Sequence, residues 1–347
     1  MGEPDEYWTD VRDRWSRVVS AVDNSGAGHS GGGRVSIAET TRRPTSDIIP
    51  VLVAGQRGVG KSALYQALLG DNGYIRQRDE DHVPHRLVLA AGRRQAHVTL
   101  VVSPGQTAGG DYSSGEVDKW DAMLKPPNHP TGVIYVAAAG YDEPWDPREV
   151  NVLEERRQRR EDELRRQVEA RLWEQWQASL DATPTEEERR DRAEQIAREV
   201  EAAIPSPSEQ LWAQNRNVEL EHFSRFCQNL MPCWVDNPAA KDLWFVLAVT
   251  KADLYWTDQL GQVEEYYLPG ADGEPTSDFQ RQLVTLIRAF GHRNRPRLAV
   301  LPVAGRRQDY RFIPGVGEKQ AMFDDMKFAA VQRSLRTTVG EFCGLGS

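Results

Sequence analysis

Cysteine is scarce in this chain of 347 residues: there are three, Cys227, Cys233 and Cys343, at no paired spacing. That count argues against both a disulfide framework and a cysteine-ligated zinc site. No apolar run reaches about 18 residues, so no membrane-spanning helix is expected. Positive charge is in deficit as well, with 43 Lys and Arg against 52 Asp and Glu and a formal net charge of −9. A general nucleic-acid binder needs a basic face to neutralise phosphates, so no nucleic-acid partner is expected. The opening Met1-Gly2-Glu3-Pro4-Asp5-Glu6 is acidic, unlike a secretory leader, and Glu6 departs from the myristoylation pattern. A reducing cytoplasm is the expected compartment.

What the chain does contain is a complete G-x-x-x-x-G-K-[ST] segment, Gly55-Gln56-Arg57-Gly58-Val59-Gly60-Lys61-Ser62. It follows the apolar run Ile48 to Ala54, which reads as a strand, and precedes Ala63 to Leu69, which reads as a helix with Leu64, Leu68 and Leu69 on one face. Strand, glycine loop and helix in that order make a phosphate cradle. The glycines permit positive φ and leave no Cβ between the backbone and an anion, so successive N–H groups can turn inward. The helix N-terminus adds partial positive charge. Lys61 would reach the terminal phosphates, and the Ser62 hydroxyl would ligate Mg²⁺. The pattern points to a nucleoside triphosphate and is silent about the base.

A second pattern addresses the base. The run Leu243 to Val249 reads as a buried strand and ends in Thr250-Lys251-Ala252-Asp253, a match to [NT]-K-x-D. A carboxylate at Asp253 can accept from both the ring N–H and the exocyclic amine of guanine, a donor pair that adenine does not present. Lys251 would lay its methylene stem along the purine, and Thr250 would brace the loop.

Between these two lies Ala96 to Val102, strand-like, followed by Ser103-Pro104-Gly105-Gln106. Here the chain resembles the Ras-like G domains of the translation-factor-related P-loop GTPases, whose third strand ends in D-x-x-G, often with Gln next. The resemblance implies that the Gly105 amide senses the γ-phosphate and that Gln106 orients the attacking water. It also implies that Ala304-Gly305, after the strand-like Arg297 to Val303, stands where backbone amides touch the guanine oxygen. Two departures accompany it. Val102 replaces the Asp that holds the Mg²⁺ water shell, and no Ser or Thr occurs between Ser62 and Thr99 to serve as the first switch hydroxyl. The acidic Asp79-Glu80-Asp81 could offer oxygen ligands, although a solvated loop is the simpler reading.

These readings give a doubly wound, mostly parallel six-stranded α/β sheet of P-loop G-domain type, binding GTP or GDP with Mg²⁺ and hydrolysing GTP slowly. Residues 1–23 form an N-terminal amphipathic helix, 24–47 a flexible linker, 48–140 and 241–347 the halves of the G domain, and 141–240 a helical insertion. A hairpin is expected at 86–91 and 95–102, and helices near 115–124, 277–290 and 319–340. Within the insertion, helices are expected over 147–180, 185–203 and 208–231, with Pro184 near a first helical position. Its arginines alternate with glutamates at i,i+4 spacing, the mark of a solvated face. The insertion or the N-terminal helix would serve a protein partner. Arg57 is a candidate for stabilising transferring charge or for blocking the water. Two alternatives stay open: a pseudo-GTPase that binds guanine nucleotide as a scaffold, and an ATP-using P-loop enzyme.

Overall fold

The computed structural model describes residues 5–25, 35–40, 48–56, 58–69, 85–103, 124, 129–142, 147–180, 183–235, 243–291, 294–305, 310–313 and 316–345. The chain forms two compact units. The larger comprises residues 1–143, 215–310 and 319–347, and the smaller 144–214 and 311–318.

The larger unit opens with helix α1 (Glu6–Asp23), capped by the Asp5 side chain, which accepts from the Tyr7 amide. The strands β1 (Ser36–Glu39), β2 (Ile48–Ala54), β3 (His85–Ala91), β4 (Arg94–Val102), β5 (Gly132–Ala137), β6 (Trp244–Val249) and β7 (Arg297–Pro302) build one sheet, with helix α2 (Lys61–Leu69) between β2 and β3. Their order is β1-β3-β4-β2-β5-β6-β7. From β4 to β7 every pairing is parallel, whereas β1–β3 and β3–β4 are antiparallel. The sheet is therefore mixed and seven-stranded rather than six-stranded. The additional strand lies in the stretch read as a linker. It escapes a composition-based reading because Ile37 alone of its four residues is buried, leaving little alternation to detect.

Strands β5 and β6 are buried along their whole length, as continuous apolar runs covered on both faces should be. Successive residues of β6 show the two layers: Phe245 meets Phe223, Phe226 and Trp234 on one side, while Trp244 meets Phe342 on the other. The aromatic side belongs to residues 215–235 of helix α5 (Pro207–Val235). Helix α9 (Asp325–Gly340) leads into the Phe342 segment. The short helices α6 (Ala252–Tyr255) and α7 (Leu260–Tyr267) and helix α8 (Asp278–Arg288) lie between β6 and β7 in the chain, Phe279 of α8 stacking on Phe223 and meeting Tyr267 on the aromatic side.

Helix α1 docks on this unit rather than standing away from it. Trp8, Val11, Trp15, Val18 and Val22 are buried, each worth about 1.5–3 kcal/mol when fully removed from water. Polar contacts fix its register: Tyr7 donates to the Pro296 carbonyl at 2.8 Å, Arg12 to that of Pro269 at 2.9 Å, and the Trp256 indole to Asp23 at 3.0 Å.

The smaller unit is built on helices α3 (Pro147–Ala178) and α4 (Glu186–Ala203). Val168, Ile196 and Val200 form its core, with Leu164, Leu172, Trp173 and Ile204 against them. Thr185 and Glu188 make a reciprocal capping box, so α4 starts after Thr185 and Pro184 precedes the cap. Its arginines are engaged by carboxylates: Arg157 by Glu154 and Glu161, Arg165 by Glu161 and Glu201. Helix α5 (Pro207–Val235) follows. Two short strands not anticipated from the sequence, β8 (Tyr310–Ile313) and β9 (Val316–Lys319), precede the last helix, α9, which is expected near 319–340 and starts after its Asp324 cap. The expected helix near 115–124 lies outside the described residues apart from Leu124.

Candidate functional site

The parallel strands β2, β5 and β6 end side by side, so the loops that leave them gather along one edge of the sheet, the edge at which open α/β folds bind ligands. Gly55, Gly58 and Gly60 adopt φ of 144°, 82° and 97°. Gly55 shows why no other residue serves: a Cβ there would lie 2.4 Å from the Val136 carbonyl oxygen of β5. The loop curls tightly enough for α2 to start at once, the Leu64 amide donating to the Gly60 carbonyl at 2.8 Å. Lys61 is 7% exposed, and its ammonium donates to the Gly55 and Gln56 carbonyls at 2.7 Å each. Gln56 and Val59 are buried, whereas Ser62 and Ala63 are half-buried. Arg57, Gly105 and Gln106 lie outside the described residues.

The Thr250-Lys251-Ala252-Asp253 segment comes directly against this loop. The Thr250 hydroxyl lies 2.6 Å from the Val59 carbonyl and 2.9 Å from that of Ala137, and the Thr250 amide donates to Ala137 at 2.7 Å. One side chain thus ties the glycine loop to β5 and β6. Lys251 takes the left-handed conformation, φ 59°, and its ammonium donates to the Tyr141 carbonyl. Asp253 is 2% exposed, its backbone carbonyl accepting from the Met322 amide at 2.9 Å. Ala304 is buried after β7, and Gly305 packs so closely on α2 that a Cβ would stand 2.7 Å from the Ala63 carbonyl carbon. The described residues Gly55, Gln56 and Gly58 to Ala63 therefore belong to one cluster with Thr250 to Asp253 and Ala304.

Sequence reasoning missed the polar groups beneath it. Glu219 of α5 is wholly buried and accepts from the Ala138 amide at 2.6 Å and from the Tyr267 hydroxyl. Asn215, one turn earlier, donates to the Gly140 carbonyl at 2.9 Å. Asp142 is 6% exposed. Burial, then the neighbouring charge of Glu219, pushes its carboxyl well above the ordinary carboxylate range, against the opposing pull of Lys251 and Lys61. Burial raises the Glu219 carboxyl too, with the hydrogen bonds from Tyr267 and the Ala138 amide resisting. His222 meets the Tyr135 hydroxyl through Nδ1 at 2.7 Å, and burial lowers its pKa to about 3. The one sequence signal for this layer was Gly140 after three alanines, which marks a turn but not what grips it.

A glycine loop that leads into a helix N-terminus, with a lysine folded back on it, can hold polyphosphate. A buried carboxylate at the neighbouring strand end can discriminate among bases by the donors they present. No protein-family model matches the chain, and no curated protein does. Among solved structures it is similar to a dimerization-deficient mutant of Toc33 from Arabidopsis thaliana, at 11% sequence identity and a TM-score of 0.36, over 85% of this chain and 84% of that one.

Proposed function

We propose that the protein binds guanine nucleotides, alternating between GTP- and GDP-bound states, with slow hydrolysis of GTP. The observation that carries this reading is the meeting of two motifs 191 residues apart, Thr250 Oγ1 at 2.6 Å from the Val59 carbonyl. A glycine loop before a helix specifies a polyphosphate, and Thr-Lys-x-Asp at a strand end specifies the purine. Their contact supports one ligand spanning both.

In this reading the amides of Gly55 to Ala63 hold the phosphates, and Lys61 exchanges its loop carbonyls for phosphate oxygens. Lys251 covers the purine, Asp253 accepts from the guanine donors, and the Ala304 region closes on the guanine oxygen. For Mg²⁺, no group of three His, Cys, Asp or Glu side chains among the described residues could hold an ion. The Ser62 hydroxyl at the start of α2 fits a magnesium that takes one protein oxygen and fills its shell with phosphate and water. Gln106 is assigned to orienting the attacking water, the Gly105 amide to sensing the γ-phosphate, and Arg57 to the developing charge.

A second reading, binding without turnover, is favoured by Val102, the last residue of β4 and paired with Val53 of β2. An apolar side chain stands there in place of a magnesium-orienting carboxylate. The buried acid at Asp253 weighs against an ATP enzyme. With the apolar face of α1 buried on its own chain, a protein partner is assigned to the α3–α4 hairpin. The compartment is proposed to be the cytoplasm; no described helix is long and apolar enough to cross a membrane.

Competition for labelled GTP tests the base: unlabelled GTP and GDP should displace it and ATP should not, and displacement by ATP refutes the assignment. Single-turnover hydrolysis tests the chemistry, with slow release of phosphate expected and a further decrease in Gln106→Ala. A wild type that binds GTP and releases no phosphate establishes the second reading. Arg57→Ala hydrolysing at the wild-type rate removes Arg57 from both of its roles.

A further inference from the structure

The turn that leaves β5 contains two consecutive left-handed residues, Ala139 at φ 53° and Gly140 at φ 85°. Alanine enters that region against its own Cβ, and such strain persists where surrounding contacts over-determine it. Contacts reach the turn from two sides. On one side, the Tyr141 amide closes the turn on the Ala138 carbonyl at 2.9 Å, and the Tyr141 carbonyl receives the Lys251 ammonium. On the other side stand two residues of α5. Glu219, fully buried, takes the Ala138 amide at 2.6 Å, and Asn215 holds the Gly140 carbonyl at 2.9 Å. Glu219 is itself fixed by the Tyr267 hydroxyl of α7.

We propose that Glu219 and Asn215 are positioning residues for the purine side of the nucleotide site, setting the Ala138–Tyr141 turn on which Lys251 rests. The inference rests on the guanine-nucleotide reading above and adds to it a pair of side chains that touch no nucleotide. Both come from the helix that closes the insertion. Their effect should fall on the purine side, because the Lys61 ammonium holds the glycine loop through Gly55 and Gln56.

The test compares two probes, GDP and inorganic triphosphate, titrated calorimetrically into the full chain with magnesium present. Glu219→Leu, which removes the acceptor, should weaken GDP by about tenfold or more, the scale of a lost hydrogen bond to a charged group, and leave triphosphate within about twofold. Glu219→Gln keeps an acceptor for the Ala138 amide and should bind GDP within about threefold of wild type. In a Lys251→Ala background, Glu219→Leu should cost less than about twofold, because the path through the lysine is already gone. Asn215→Ala carries the same comparison if Glu219→Leu fails to fold. Folded variants that bind GDP as wild type does overturn the proposal. So does an equal loss of both probes, or a loss undiminished without Lys251, either of which marks a merely structural role. A wild type that takes up triphosphate and no GDP refutes the guanine reading itself.

Discussion

Asp253 and Gly55 separate the two chemical demands on the site. At Asp253 a carboxylate with 2% exposure has left water, and such a group is kept where its acceptors are used. Asp253→Asn replaces one acceptor oxygen by a donor. It should lower GDP affinity by about 100-fold or more, since a site built for donors rejects a ligand that leaves its polar groups unmatched, while improving uptake of xanthosine diphosphate. Fluorescent-nucleotide competition reads both effects, and an unchanged preference would remove Asp253 from base recognition. At Gly55 the demand is steric. Gly55→Ala places a methyl 2.4 Å from the Val136 oxygen and should cost about 1–3 kcal/mol by overpacking, seen as a lower urea midpoint. Both residues were legible in the sequence because spacing alone marks them. Glu219 was not. It sits in Asn-Val-Glu-Leu-Glu-His-Phe, a stretch that reads as an ordinary half-polar helix face, and nothing local tells Glu219, fully buried, from the exposed Glu221 two residues later.

At the scale of elements, strength of pattern decided what could be foreseen. The buried strands β2, β5, β6 and β7 announce themselves as apolar runs, and α1 by tryptophans and valines at helical spacing. Strand β1 has four residues whose partner, β3, lies beyond β2 and α2 in the chain, so pairing and not local preference makes it. Strands β8 and β9, four residues each and paired with one another, are too short to show a pattern. Whether α1 would dock at home was likewise invisible, because an amphipathic face states that it must be covered and not by what. The structure gives it Tyr7, Arg12 and Asp23 as anchors on its own unit. Trp15, 1% exposed, fills the centre of that contact. Trp15→Ala should destabilise the protein by about 3–5 kcal/mol, with a lowered denaturation midpoint in circular dichroism. A loss below about 1 kcal/mol, the size of a surface change, would mean that α1 is only loosely held.

For the molecule as a whole, the polar layer under the site makes stability depend on pH. His222 has a folded-state pKa lowered to about 3 by burial, with the charges of Lys61 and Arg225 adding to it. A lowered histidine leaves stability intact above its unfolded value near 6.5 and removes it progressively as pH falls toward 3. By pH 4.5 the loss should approach about 2–3 kcal/mol. Asp142 and Glu219 act in the opposite sense: their raised carboxyls give up stability as pH rises above the ordinary carboxylate range. Thermal melts from pH 7.5 to 4.5 should therefore fall less steeply in His222→Gln than in wild type, and parallel curves would contradict the assignment. The central claim remains that one nucleotide spans the glycine loop and the Thr250–Asp253 segment. Isothermal titration of the full chain with GDP and with ADP, magnesium present, tests it most directly. The account predicts one GDP per chain and ADP weaker by about 100-fold or more; equal affinity for the two, or no uptake of GDP by folded protein, would contradict it.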